Sequence, residues 1–139
     1  MSISVNLDQA FEMAENVNVY NEGAISTYAA GSKQFEDILA CWSDMIDCAH
    51  IMPAYGVSLN DLTLEALQSG LWIEFDFSKQ LESGEMPYEK LLIQVAKGYY
   101  GFNLIRYNSV GGYDGRCFYY DLNGKNMDKL YELLLNCNI

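Results

Sequence analysis

From Leu71 to Phe77 the chain changes character at every residue: Leu71, Ile73, Phe75 and Phe77 are apolar, and Trp72, Glu74 and Asp76 stand between them. A period of two is the signature of a β-strand with one face on a core. It excludes an all-helical fold, and it contrasts with the segment before it. From Lys33 to Met52 apolar residues recur at spacings of three and four: Phe35, Ile38, Leu39, Trp42, Met45, Ile46, Ala49 and Met52. That spacing predicts a helix with a wide apolar stripe. Ser32 stands at its N-cap, and Glu36 and Asp37 fall in its first turn, where the helix dipole favours acids. Pro53 is expected to end it. Asp37, Asp44 and Asp47 line up on the side away from the stripe.

The remaining segments divide in the same way. Asn6 to Asn16 reads as a short helix with Leu7, Ala10, Phe11 and Ala14 on one face, Asp8, Glu12 and Glu15 on the other, and Asn6 and Gln9 as a capping pair. Val17–Tyr20 and Ala24–Tyr28 flank Asn21-Glu22-Gly23 as a hairpin. Tyr55-Gly56-Val57 is expected to connect to a second short helix, capped by Ser58 with Asp61, running to Gln68 and stopped by Gly70. After the strand at Leu71–Phe77 comes a polar loop with Gly84 and Pro87, then strands at Leu91–Ala96, Tyr100–Tyr107 and Arg116–Tyr120. Lys97-Gly98 and Asn108–Gly115 connect them, and Asn126 opens a closing helix on Met127, Leu130, Tyr131 and Leu134. Short connections favour antiparallel pairing. The expected fold is α+β: a four-stranded antiparallel meander plus an N-terminal hairpin, with three to four helices packed on one face. Residues 1–139 read as a single domain, since one core suits this length and no linker or repeat is evident.

The charge is unevenly placed. Residues 1–78 hold twelve acids and a single base, Lys33, whereas residues 79–139 hold seven of each, so the whole net charge of −11 belongs to the first part. Phosphate binding needs a basic surface, so the asymmetry argues against nucleic acid as a direct ligand. A basic partner surface is favoured, although acidity also serves solubility alone. No apolar run is long enough for a membrane span, and Met1-Ser2-Ile3-Ser4-Val5-Asn6 has no signal-peptide character, so a cytoplasmic location is expected. Cys41, Cys48, Cys117 and Cys137 form no C-x-x-C, and His50 is the single histidine. Reduced cysteines used as small hydrophobes are expected, with no metal and no cofactor.

Catalytic patterns are weak. Asp47 and His50 would be i,i+3 on a helix, but an ordinary histidine accounts for them better. Gly111-Gly112-Tyr113-Asp114-Gly115 lacks the Walker pattern and leads into a strand, so it reads as a hairpin connection. Asp121-Leu122-Asn123-Gly124 lacks the later ligands of a calcium loop. No enzyme activity is expected. Trp72 between Glu74 and Asp76 reads either as an interface anchor with a charged rim on an open sheet face, or as a tryptophan covered by a helix. Tyr99, Tyr107, Tyr113 and Tyr119 fall at strand or loop positions suited to partial exposure.

The line of Asp37, Asp44 and Asp47, and Glu74 and Asp76 beside Trp72, give the chain a class-level resemblance. In size, acidity, tyrosine content and lack of a catalytic motif it resembles the small acidic inhibitors encoded by phages and mobile elements, the anti-CRISPR and anti-restriction proteins of DNA-mimic type. The resemblance implies an inhibitor that blocks the basic DNA- or RNA-binding groove of a nucleic-acid-handling enzyme, such as a CRISPR or restriction nuclease. It covers no family-defining motif, and residues 79–139 depart from it in being neutral. No functional residue carries over from it, and the partner-binding residues expected from the chain's own acids and aromatics are Asp37, Asp44, Asp47, Trp72, Glu74, Asp76 and Tyr113. The alternative is an immunity protein or adaptor that binds a basic protein without mimicking nucleic acid.

Overall fold

A computed structural model describes residues 3–47, 49–83 and 86–137. Among these residues eight strands form one sheet: β1 (Ile3–Ser4), β2 (Asn16–Asn21), β3 (Ala24–Ala29), β4 (His50–Ser58), β5 (Leu71–Ser83), β6 (Met86–Val95), β7 (Gly101–Tyr107) and β8 (Gly115–Asp121). The helices are α1 (Leu7–Ala10), α2 (Lys33–Ile46), α3 (Asn60–Ala66) and α4 (Asp128–Cys137). The strand order is β3-β2-β5-β6-β7-β8-β4, antiparallel throughout, with β1 pairing parallel to β5. The α+β class and the meander β5 to β8 are thus present. The four-stranded sheet is corrected: the hairpin joins β5 through β2, and β4 adds to the far side of β8.

Two expected elements are different for reasons of pairing. The helix from Lys33 ends at Ile46 instead of Met52, and β4 begins at His50, opposite Asp121. Pro53 lies within β4, where an edge strand tolerates a residue without an N–H. The segment Tyr55-Gly56-Val57 is therefore strand, and Ser58 closes it, so the cap of α3 falls to Leu59 and the Ser58–Asp61 capping pair is not formed. The loop expected after Phe77 is also strand: β5 continues to Ser83 past a register shift between Asp76 and Leu81, and Pro87 pairs with Glu82. The β6–β7 ladder runs from Lys90 to Leu92, so Pro87 lies outside it and withholds no ladder bond there. Gly84 and Cys48 lie outside the described residues.

At the N-terminus the helical segment is short. One turn of α1 passes into a 3-10 turn at Phe11–Met13, and Asn16 is already strand. Asn6 occupies the N-cap position but makes no side-chain cap. The hairpin closes through Glu22 and Gly23, both at positive φ (50° and 87°), the backbone that a two-residue turn requires.

The core lies on one face of the sheet. Val17 and Val19 of β2, Ile73 and Phe75 of β5, Leu91 and Ile93 of β6, Leu104 of β7 and Tyr120 of β8 meet Phe11, the stripe of α2 and the inner side of α4. Trp42 is fully buried at its centre, with ring centroids 4.9 Å from Phe11, 5.1 Å from Phe75 and 5.2 Å from Phe102. α3 departs from the one-face expectation. Leu67, Trp72, Leu92 and Tyr113 form a second, smaller buried cluster, and Trp72 and Leu92 alternate with core residues, so α3 leans on the opposite face. No helix among the described residues is long and apolar enough to cross a membrane.

Candidate functional site

The residues expected to bind a partner separate into two groups. Asp37, Asp44 and Asp47 are exposed on the outer side of α2, whose inner side carries Phe35, Ile38, Trp42, Met45 and Ile46 into the core. Ser32 caps the helix, its Oγ accepting from the Phe35 N–H at 3.2 Å. Lys33 bridges Asp37 at 2.8 Å, an exposed i,i+4 pair of small energetic weight. Asp47 sits just past the helix end, at its C-cap. The dipole that welcomes Glu36 in the first turn disfavours acids at this end. The compensating cation comes from elsewhere, as Lys125 Nζ donates to the Asp44 carbonyl at 2.9 Å.

Trp72, Glu74 and Tyr113 do not form an open face. Trp72 is 6 % exposed and Tyr113 5 %, and Glu74 has no exposed surface. The covered-tryptophan reading is the one seen, with the indole N–H donating to the Ser69 carbonyl at 2.9 Å. The expected rim of free carboxylates is corrected to a closed polar network. Glu74 Oε1 accepts from Asn18 Nδ2 at 3.2 Å and from the Tyr20 hydroxyl at 3.0 Å, and Oε2 accepts from the Tyr113 hydroxyl. Asn18 Oδ1 accepts in turn from Thr27 Oγ1 at 2.8 Å and from Asn16 Nδ2 at 3.2 Å. Asn16 also lies 3.4 Å from Asp76, which is half-buried. Burial and the adjoining Glu74 carboxylate push the Tyr20 and Tyr113 hydroxyls far above the ordinary tyrosine value.

This network ties α3 to the sheet. The Tyr113 N–H donates to Asn60 Oδ1 at 3.1 Å, the Asn60 N–H donates to Asp114 Oδ1 at 2.6 Å, and Ser58 Oγ donates to the Tyr113 carbonyl. Gly112 has φ +64°, and a Cβ there would collide with the Asn60 carboxamide. Asn16, Asn18 and Tyr20 are the partners that sequence reasoning missed. Their signal was the alternation Asn16-Val17-Asn18-Val19-Tyr20, which puts hydrogen-bonding side chains on the face opposite the core.

The weak catalytic candidates fall apart. Asp47 lies at a helix end and His50 on β4, so they do not share a helix. Asp121 Oδ1 accepts from the Asn123 N–H at 3.1 Å, a local turn. Gly111 to Asp114 lie in the connection from β7 to β8, and Gly115 is the first residue of β8. Burial raises the Cys41 thiol, followed by the nearby Asp44 carboxylate, so it is a poor nucleophile. Two shallow cavities of about 310 and 330 Å³ share Trp72, Asn103 and Ile105 on the second face, with Leu59 and Leu62 of the α3 segment on one side and Tyr99 and Tyr119 on the other. Comparison with protein-family models, with curated proteins and with solved structures finds no match.

Proposed function

We propose that this chain is a cytoplasmic protein-binding domain that sets the outer side of α2 against a basic protein surface, blocking the nucleic-acid groove of an enzyme such as a CRISPR or restriction nuclease. The observation that carries the reading is the exposure of Asp44 and Asp47 at the end of α2 where local helix energetics disfavour acids. Glu12, Glu15, Glu22, Glu36 and Asp37 are exposed as well, and Lys33 is the one base in the first 78 residues. Carboxylates at helical spacing present negative charge to Lys and Arg side chains that otherwise hold phosphates.

One observation favours the second reading, an immunity protein or adaptor without mimicry. Asp61 and Glu65 are exposed on α3, which leans on the opposite face from α2, so the acids of the first 78 residues do not gather on one surface. Capture from the native host followed by competition separates the two. A groove blocker is displaced by duplex DNA, weakens steeply with salt, and is lost on reversing Asp37, Asp44 and Asp47 to lysine. Binding that resists DNA yet is lost on reversal identifies the adaptor or immunity reading. Binding indifferent to salt and reversal overturns both.

A further inference from the structure

The two outer edges of the sheet are closed differently. β4 carries Pro53, and its register slips between Pro53 and Val57. Both features obstruct the addition of another strand. β3 has neither. Its residues Ala24-Ile25-Ser26-Thr27-Tyr28-Ala29 include no charge and no proline, and they keep unbroken register with β2. An unguarded edge of this kind is a template for pairing.

The ladder's parity identifies the groups that point outward. The Ala30 N–H donates to the Glu15 carbonyl at 2.9 Å, so odd-numbered residues of β2 bond to β3. The Glu22 N–H donates to the Gly70 carbonyl at 2.9 Å, so even-numbered ones bond toward β5. Ala24, Ser26 and Tyr28 are then the bonded partners on β3. The backbone N–H and C=O of Ile25 and Thr27 face away from the sheet, and the Ile25 side chain is 61 % exposed.

We infer that β3 is a docking edge for an extended basic segment of the partner, which adds to the sheet as a further antiparallel strand. The inference rests on the reading of the chain as a binder of a basic protein surface. Charge selects the occupant. Exposed Glu22 closes the hairpin at one end of β3, and beyond the other the first turns of α2 hold exposed Glu36 together with the Lys33–Asp37 pair, so both ends are net acidic. A second copy would bring its own acids onto these, each chain carrying −11. Backbone bonds give the affinity of such an added strand, and its side chains give the selectivity.

The test titrates the full chain with a hexapeptide of alternating valine and lysine, following backbone amides by NMR, with a valine–glutamate peptide as control. Shifts and exchange protection centred on Ile25 and Thr27 are expected with the lysine peptide. Binding is expected to weaken by about tenfold or more for the glutamate peptide and in Ile25→Pro, which removes one outward N–H. Ile25→Lys, which leaves the β2–β3 ladder intact and sets a like charge on the edge, should weaken the basic peptide about two- to fivefold while sparing the glutamate peptide, and decides the matter if the proline variant misfolds. Shifts away from β3, or equal binding of both peptides, overturn the inference. So does a dimer in sedimentation that dissociates in either variant, which assigns the edge to a second copy. With the captured partner, loss on reversing Asp44 and Asp47 but retention in both Ile25 variants overturns the edge and leaves the α2 reading standing. The opposite pattern overturns the α2 reading and keeps the edge.

Discussion

A carboxylate taken out of water loses its hydration, and at Glu74 three neutral donors from Asn18, Tyr20 and Tyr113 replace it. Removing one donor leaves charge unsatisfied in a dry place. Tyr113→Phe is therefore expected to cost about 1.5–3 kcal/mol in urea denaturation, the range for hydrogen bonds to charged groups. Combining it with Glu74→Leu should cost less than the two single changes together, because the second removes the acceptor the first had orphaned. The same tyrosines set a pH limit. Tyr20 and Tyr113 have pKa values raised above 10.0, chiefly by burial, and Tyr88, buried in the main core beside Ser83 and outside this network, is raised in the same way. A raised folded-state value means that the unfolded chain holds fewer protons above pH 10, so this stability is complete below about pH 10 and drains away as pH rises further. Ultraviolet titration should show these three ionising only as the fold opens, after the exposed tyrosines, and a Tyr20→Phe, Tyr113→Phe double variant that leaves the late-ionising count unchanged would contradict the network. Little of this was legible in Trp72-Glu74-Asp76 alone. Alternation gave the right face, but whether that face is wet depends on Asn18 and Tyr113, which pairing and a loop bring from far along the chain.

At the scale of elements, what the sequence disclosed depended on whether a segment decides its own state. α2 begins where its local chemistry says, with Ser32 accepting from Phe35. Ser32→Ala is expected to lower stability by about 1 kcal/mol in thermal or denaturant melts, and an unchanged midpoint would show that the cap carries no weight. The hairpin was equally legible from the two β-leaning runs around Asn21-Glu22-Gly23, although the positive φ of Glu22 was not, since glutamate rarely takes it. The end of α2 was not. Ala49 and Met52 continue the helical spacing, yet His50–Ser58 gains more by completing the sheet against β8. Pro53 and Pro87 misled for a related reason: a proline forbids an internal ladder bond, and both stand where no such bond is required. The single-face packing of the helices failed at α3, because seven residues with Leu62 exposed and Thr63 buried do not announce which side of a sheet they will meet.

Over the whole molecule, acids placed for solubility and acids placed for a partner differ in what they cost the fold. Solubility asks for charge anywhere on the surface, whereas stability asks for it away from like charge and from the carbonyl end of a helix. Glu36 meets the second demand, and Asp47 does not. Relieving that conflict should therefore stabilise the chain. Asp47→Lys is expected to raise stability by about 0.3–1 kcal/mol at low ionic strength, the usual worth of a charge at a helix terminus. The gain should shrink as salt is added, and added salt should itself stabilise the parent chain, because screening acts over about 10 Å at 0.1 M and weakens the self-repulsion of a net −11. If Asp47 serves binding, the same substitution that firms the fold loosens the complex, as is common where activity is held at the expense of stability. Melting curves across a salt series, set beside partner affinity for the same variant, separate the two roles. A variant that is more stable and binds as well as the parent would assign Asp47 to solubility, and one that is more stable and binds less would assign it to the interface.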